Sequence, residues 1–534
     1  MKKWDYKWQV VASVVFGTFM VIMDATVVNV ALTKLRTVFA SDISQIQWIV
    51  SGFVLAVGVV TPLSGFLADR FGIKKVYLIS LGAFTLASVL CGLAPNLTLL
   101  IIFRVLQGIG GGSVLPLGTA MLFAAFPPHQ RGLAFGIFGI PLVMAPALGP
   151  VLGGAFVEYL DWRLIFFINV PIGLLGIFIG ATFLKEQKRE GHVPLDLLGA
   201  ICSVIGFGAI LYGFSNAAPA GENNFNGTPT AASSNSNSTG WGSPNVLIAL
   251  GIGVFFLIIF AVSQLRQRDE ALVDLRLFKR PTFVIANIVG WITVIGFFGA
   301  EFLLPLYLQV LRGLSPLQTG LLLLPLAISS GILVPLMGRV QDKLGPRPLV
   351  VVGFSLLVIN TWQLADLKLD TAYWYIVLLL ILRGVALACV IQPTQLAALS
   401  GIAPRQLNRA SSLVNASRSV FQSLGVALLA TVLQTTISNQ LANFRPTATG
   451  PAAAQQAQQA FNNAFLGGLN NAYLLTFGVA AAAIVFALFL PGWPFQKKAT
   501  PTVGEGANIP QVPEATVSSV ATTAQAQVQK ETAA

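Results

Sequence analysis

Residues 65–75 read GFLADRFGIKK, and residues 338–348 read GRVQDKLGPRP. Glycine, acid, base, glycine and base fall at the same spacing in both: Gly65, Asp69, Arg70, Gly72 and Lys74 against Gly338, Asp342, Lys343, Gly345 and Arg347, an offset of 273 residues. Other uncommon residues recur at nearly that offset. Asp24 and Glu301 are 277 apart, Arg36 and Arg312 are 276 apart, and Arg104 and Arg383 are 279 apart. Four agreeing offsets describe a duplicated unit, and parallel duplication about an axis along the membrane normal is a transporter architecture with its site between the halves.

The chain around these motifs is apolar. Of its 534 residues 55% are hydrophobic and 10% charged, against roughly 25% charged in soluble domains. Fourteen apolar runs are each long enough for the ~20 helical residues that cross a hydrocarbon core. The run at 196–215 is the most dilute, because Asp196 and several glycines interrupt it. The first run starts near Trp8 and is too long for a signal-peptide core, so it reads as an uncleaved spanning helix. The fold class expected is therefore all-α and integral to a membrane.

The net charge of +12 would suggest nucleic acid in a soluble chain. Here Lys and Arg sit in connectors, where they set topology. With the N-terminus inside, 23 of the 32 fall on the inner side and six on the outer; Arg104, Arg383 and Arg418 lie within spans. Both termini are expected in the cytoplasm, and no nucleic-acid partner is implied. Cys91, Cys202 and Cys389 each lie in an apolar run, and His129 and His192 are far apart. That pattern predicts no disulfide framework and no metal site. No phosphate loop or nucleophile–base set is present, so neither an enzyme nor an ATP-driven pump is expected, and no cofactor.

The organisation expected is a six-helix bundle at 1–190, two inserted helices with a polar external loop at 191–274, a second six-helix bundle at 275–495, and a disordered cytoplasmic tail at 496–534. The inserted pair is expected to be peripheral. Two external loops are expected: 216–244, rich in Asn, Ser, Gly and Pro, and 436–470, with a polar Ala/Gln tract.

Five segments carry a family resemblance over most of residues 10–495. GFLADRFGIKK is similar to the signature between the second and third helices of the major facilitator superfamily, with Ile73 where a third basic residue is usual. RVLQGIGGG at 104–112 resembles the fourth-helix motif. APALGPVLGG at 145–154 resembles the fifth-helix antiporter motif. MDATVVNVAL at 23–32 and DWRLIFFINVPIG at 161–173 resemble signatures of the fourteen-helix drug:proton antiporter branch. The resemblance implies a multi-pass protein of the bacterial inner (plasma) membrane that exports amphipathic or cationic organic compounds in exchange for protons. It also implies a possible periplasmic adaptor protein as partner. A dedicated exporter of one metabolite or siderophore remains an alternative, as does a non-transporting receptor on the same fold.

Of twenty acidic residues only Asp24 and Glu301 fall well inside a predicted span. A charge at the bilayer centre costs about 2.5–3.5 kcal/mol on insertion scales, so each needs a reason. The repeat pairs Asp24 with Arg104 and Glu301 with Arg383, and these four are the candidate proton-coupling residues. Static ion pairs are the plainer alternative, and Glu301 could instead meet a cationic cargo. Arg418 is read as facing a cytoplasmic cavity.

Gly65, Asp69, Arg70, Gly72 and Lys74 are expected to form a conformational latch, with Asp69 facing the positive end of a helix; a topology determinant is the alternative. Pro146, Gly149, Pro150, Gly153 and Gly154 are expected to form a hinge and seal, since small residues let helices touch through their backbones. Asn29, Gln107, Gln392, Gln395 and Asn415 are candidate substrate-binding residues, with Trp291, Phe297, Phe298 and Tyr307 as aromatic candidates.

Overall fold

The computed structural model describes residues 5–41, 43–186, 196–217, 240–267, 271–442, 444 and 451–492. They form α1 (Tyr6–Phe39), α2 (Ile43–Ile46), α3 (Trp48–Phe71), α4 (Ile73–Gly92), α5 (Leu97–Gly111), α6 (Val114–Ala125), α7 (Arg131–Tyr159), α8 (Leu164–Phe167), α9 (Asn169–Phe183), α10 (Leu197–Ala217), α11 (Pro244–Gln267), α12 (Pro281–Leu306), α13 (Pro316–Leu344), α14 (Pro346–Ala365), α15 (Tyr373–Leu399), α16 (Leu407–Ala442) and α17 (Pro451–Ala487). No strand occurs among the described residues. With α5–α6 and α8–α9 each running on as one segment, fourteen spans are long and apolar enough to cross a membrane. The protein is a multi-pass integral membrane protein of two six-helix bundles with a helix pair inserted between them.

The repeated motif has a backbone cause. Gly72 ends α3 at φ 97° and Gly345 ends α13 at φ 81°. Only glycine takes that left-handed geometry freely, and it lets the next helix start at once. The two turns are 273 residues apart, so the repeat in sequence is a repeat in chain path.

Packing sorts the helices into a ring of contacts. α7 runs antiparallel along the whole of α13, from Gly132 against Gly338 to Gly154 against Leu317. It also packs beside α1. α16 holds the matching position beside α12 and meets α3 of the first bundle. Such close approach needs small residues where backbones meet. Pro141, Pro146 and Pro150 all lie inside α7 without ending it.

The inserted pair is only half peripheral. α11 presents Leu247, Ile248, Phe255 and Ile258 outward, as a lipid-facing helix does. α10 instead packs on both α3 and α16. Leu211 fills the space above Gly58, and Trp241 Nε1 donates to Thr431 Oγ1 at 2.7 Å.

One expected loop is helix. The stretch 436–470 was expected to be unstructured, yet α16 continues to Ala442 and α17 starts at Pro451. Ala and Gln rank high in helix propensity, and proline suits a first helical turn. In the described parts of the stretch, 436–442 and 451–470, polarity marks helix and not loop. Most of the other expected loop (218–239) and the tail at 496–534 lie outside the described residues.

Candidate functional site

Asp24 sits in the middle of α1 with no solvent exposure. Its Oδ2 lies 2.5 Å from Arg104 Nη1 of α5. Its Oδ1 accepts from Gln107 Nε2 at 3.0 Å and from Asn169 Nδ2 at 2.6 Å. Arg104 and Gln107 are three residues apart on α5 and so share a face; Arg104 Nη1 also donates to Gln107 Oε1 at 2.7 Å. Arg104 Nε donates to the Ile49 carbonyl at 3.0 Å, and the guanidinium stands 4.2 Å from the Phe53 ring centre. Gln107 Nε2 reaches Ser88 Oγ of α4 at 2.6 Å. Cys91 Sγ lies 3.8 Å from Gln107 Oε1.

Five spans thus meet in one cluster, with α5 and α9 reaching the carboxylate itself and α3 and α4 holding Arg104 and Gln107. Three donors, from Arg104, Gln107 and Asn169, fix the orientation of the Asp24 carboxylate. Arg104 Nη2 and Asn169 Oδ1 have no hydrogen-bond partner among the described residues. The cluster therefore keeps one spare donor and one spare acceptor at its centre. The Asp24–Arg104 ion pair ties α1 to α5.

Three contributors were not singled out in the sequence. Asn169 lies within DWRLIFFINVPIG, and its signal was a polar residue in an otherwise apolar run. Ser88 and Cys91 carry no such signal, since small polar residues are common in spanning helices.

The second half differs. Arg383 is 4% exposed and borders a cavity of about 20 Å³ with Thr293, Phe297, Phe354, Thr361 and Thr476. The side chains of Glu301 and Phe298 lie outside the described residues. Arg383 does not join the Asp24 cluster.

The two motif acids both bind the start of a helix in the opposite bundle. Asp69 accepts from Asn408 Nδ2 and Arg409 Nε of α16, each at 2.9 Å. Beside it, Ser64 Oγ and Ser412 Oγ are 2.9 Å apart. Asp342 accepts from the backbone N–H groups of Gly132 and Leu133 at 2.7 and 3.0 Å, capping α7 directly. Gly65 leaves room for the Asn408 carbonyl, and Gly338 for that of Gly132. Lys74 acts within its own bundle: its Nζ donates to the Ala181 carbonyl at 2.8 Å. The Arg70 guanidinium stands 5.6 Å from the Phe71 ring centre.

The hinge residues divide between two neighbours. Gly149 and Gly153 face Thr26 and Val27 of α1, while Pro150 and Gly154 face Gly320 and Leu317 of α13. The helix lies between its own bundle and the other.

The five substrate candidates do not form one site. Gln107 is closed into the Asp24 cluster. Asn29 is exposed on α1. Gln395 Nε2 crosses to Thr119 Oγ1 of α6 at 3.2 Å. Gln392 lies under Gly139 of α7, 2% exposed, with neither amide atom hydrogen-bonded. Asn415 Nδ2 donates to the Ser411 carbonyl in its own helix. Trp291 stacks on Phe421 at 4.6 Å between ring centres.

Comparison with known proteins bears on this arrangement. A family model described as Major Facilitator Superfamily matches residues 14–426. The chain is 36% identical over 416 residues to the uncharacterized MFS-type transporter YhcA of Bacillus subtilis, covering 78% of this chain and 74% of that one. It is 31% identical over 496 residues to the multidrug resistance protein B homolog of Mycobacterium tuberculosis, covering 89% and 88%. The proton:xylose symporter XylE has a similar fold, with a TM-score of 0.60 at 16% identity over 91% of this chain and 96% of that one.

Proposed function

The chain belongs to the major facilitator superfamily, and from that premise we propose that it exports amphipathic or cationic organic compounds in exchange for protons. The observation that carries this reading is Asp24, held by Arg104, Gln107 and Asn169 inside the membrane without solvent exposure. A buried acid at that depth is a proton-site candidate by default.

The energy scale supports it. Breaking one partner of a buried ion pair costs about 3–5 kcal/mol. One charge moving down 100 mV is worth about 2.3 kcal/mol. A pH difference adds to that, so protonation can trade against the α1–α5 tie.

In this reading residues 1–190 and 275–495 rock against each other. The contacts of Asp69 and Asp342 latch one end. With both termini cytoplasmic, the latched end is the inner one and the cargo path faces outward. The α7 helix, flanked by α1 and α13, is the hinge and seal. Glu301 and Arg383 form the second coupling pair. The name of the multidrug resistance protein B homolog favours a drug-like cargo over a sugar.

The test is transport in proteoliposomes under an imposed pH gradient, with a panel of amphipathic and cationic compounds. Gradient-driven flux that Asp24→Asn abolishes at unchanged protein level is the expected result. Full flux in that variant would remove Asp24 from coupling. No flux of any compound would favour a dedicated exporter of one metabolite.

A further inference from the structure

Arg418 is the membrane-depth cation that the coupling and latch contacts leave out. It lies eleven residues into α16, about 16 Å from its start at 1.5 Å per residue. Arg104 is paired with Asp24, and Arg409 with Asp69. Arg418 makes no ion pair or hydrogen bond among the described residues. It is set deep in the protein yet remains partly accessible. Every residue from 417 to 424 of α16 is likewise partly accessible, as the wall of an internal cleft would be.

Its surroundings have the shape of a subsite. Ser411, Asn415, Arg418 and Gln422 follow at spacings of four, three and four, one face of α16. At the latched end of that face, Ser411 Oγ donates to the Pro116 carbonyl of α6 at 2.7 Å. One turn of α6 away, Thr119 takes Gln395 of α15. These contacts close the two bundles over α6. Asn415, Arg418, Gln422 and the orphaned Gln392 lie immediately beyond that closure. Gly290 of α12 makes room for the guanidinium: a Cβ there would stand 3.1 Å from Nη2. On the same side, Trp291 stacks on Phe421 and donates Nε1 to Ser417 Oγ at 2.9 Å.

We propose that Arg418 is the anion-recognising residue of the cargo site, and that the transporter takes amphipathic organic carboxylates. A guanidinium offers a planar fork of donors that fits a carboxylate in a bidentate way. The Trp291–Phe421 stack gives an adjacent aromatic surface for the apolar part. An uncompensated cation in the path works against permanent organic cations, so the site selects the anionic and zwitterionic members of the amphipathic class. The inference deepens the export reading and rests on it only in taking this cleft as the cargo path.

Full-length protein in phosphatidylcholine nanodiscs is titrated at neutral pH with two probes of matched shape, pyrenebutyrate and pyrenebutyl-trimethylammonium. Wild type should prefer the carboxylate. Arg418→Gln should weaken the carboxylate by about tenfold or more, the scale of one charged hydrogen bond, and leave the ammonium probe unchanged or tighter. Arg418→Lys keeps the charge without the fork and should fall between; it decides the matter if the Gln variant does not fold. The proposal is overturned if wild type shows no preference, if both variants bind like wild type, or if both probes weaken equally. Arg418-dependent carboxylate binding without any gradient-driven flux would sink the export reading and leave this one standing. Pumped cations with no carboxylate binding would do the reverse.

Discussion

Arg104 Nη1 stands 2.5 Å from Asp24 Oδ2 with neither residue exposed to solvent. Each charge is therefore compensated only by the other and by the neutral groups around them. Asp24→Asn leaves Arg104 buried and unpaired, at a cost of about 3–5 kcal/mol. The thermal unfolding midpoint in detergent should fall. Asp24→Asn combined with Arg104→Gln should recover part of that fall without restoring gradient-driven flux. A double variant less stable than the sum of the singles would contradict the pairing.

Asn169 Nδ2 donates to Asp24 Oδ1 at 2.6 Å. Asn169→Ala removes a donor to a charge, worth about 1.5–3 kcal/mol. Transport should drop by roughly tenfold to a hundredfold. In an Asp24→Asn background the same change should add far less, because groups in one network do not act additively. Equal effects in both backgrounds would mean that Asn169 acts elsewhere.

Asp342 caps the first turn of α7 through two backbone N–H groups. Loss of a helix cap costs about 0.5–2 kcal/mol. Asp342→Ala should shift the two bundles apart at that end. Spin labels placed on exposed positions of the α13–α14 and α6–α7 connections should then report a longer distance population. An unchanged distance distribution would rule out a latching role.

A methyl group at Gly149 would stand 2.1 Å from Thr26 Oγ1, whereas Gly82 has nothing within 4 Å of the same position. Gly149→Ala should destabilise by about 1–3 kcal/mol, as overpacked sites do, and slow transport. Gly82→Ala should be neutral or slightly stabilising, because alanine favours helix. Comparable melting temperatures for the two variants would show that α1 and α7 separate freely.

The sequence disclosed most where it broke its own pattern. Asp24 and Arg104 are charges in apolar runs, and the structure joins them. Gly72 and Gly345 are glycines required by left-handed turns, and their spacing revealed the duplication. What stayed hidden had no side-chain signature. The Ile49 carbonyl that receives Arg104 and the N–H groups of Gly132 and Leu133 that receive Asp342 are main-chain atoms, identical in every residue. The Ala/Gln tract misled for a related reason: hydropathy reports which solvent a segment prefers, not whether it is helical. α10 gave no sign of touching both α3 and α16, since its apolar residues suit lipid and protein equally.

The two motif acids also differ in heredity. Asp69 meets Asn408 Nδ2 and Arg409 Nε, so its partners are written in codons. A charge exchange such as Asp69→Arg with Arg409→Asp can be selected as a suppressor pair. Among the described residues Asp342 accepts hydrogen bonds only from peptide N–H groups, which no substitution other than proline removes and none can invert. Lesions at position 342 thus have no reciprocal suppressor at 132 or 133, and a genetic screen should recover compensated lineages for one copy of the motif and not for the other.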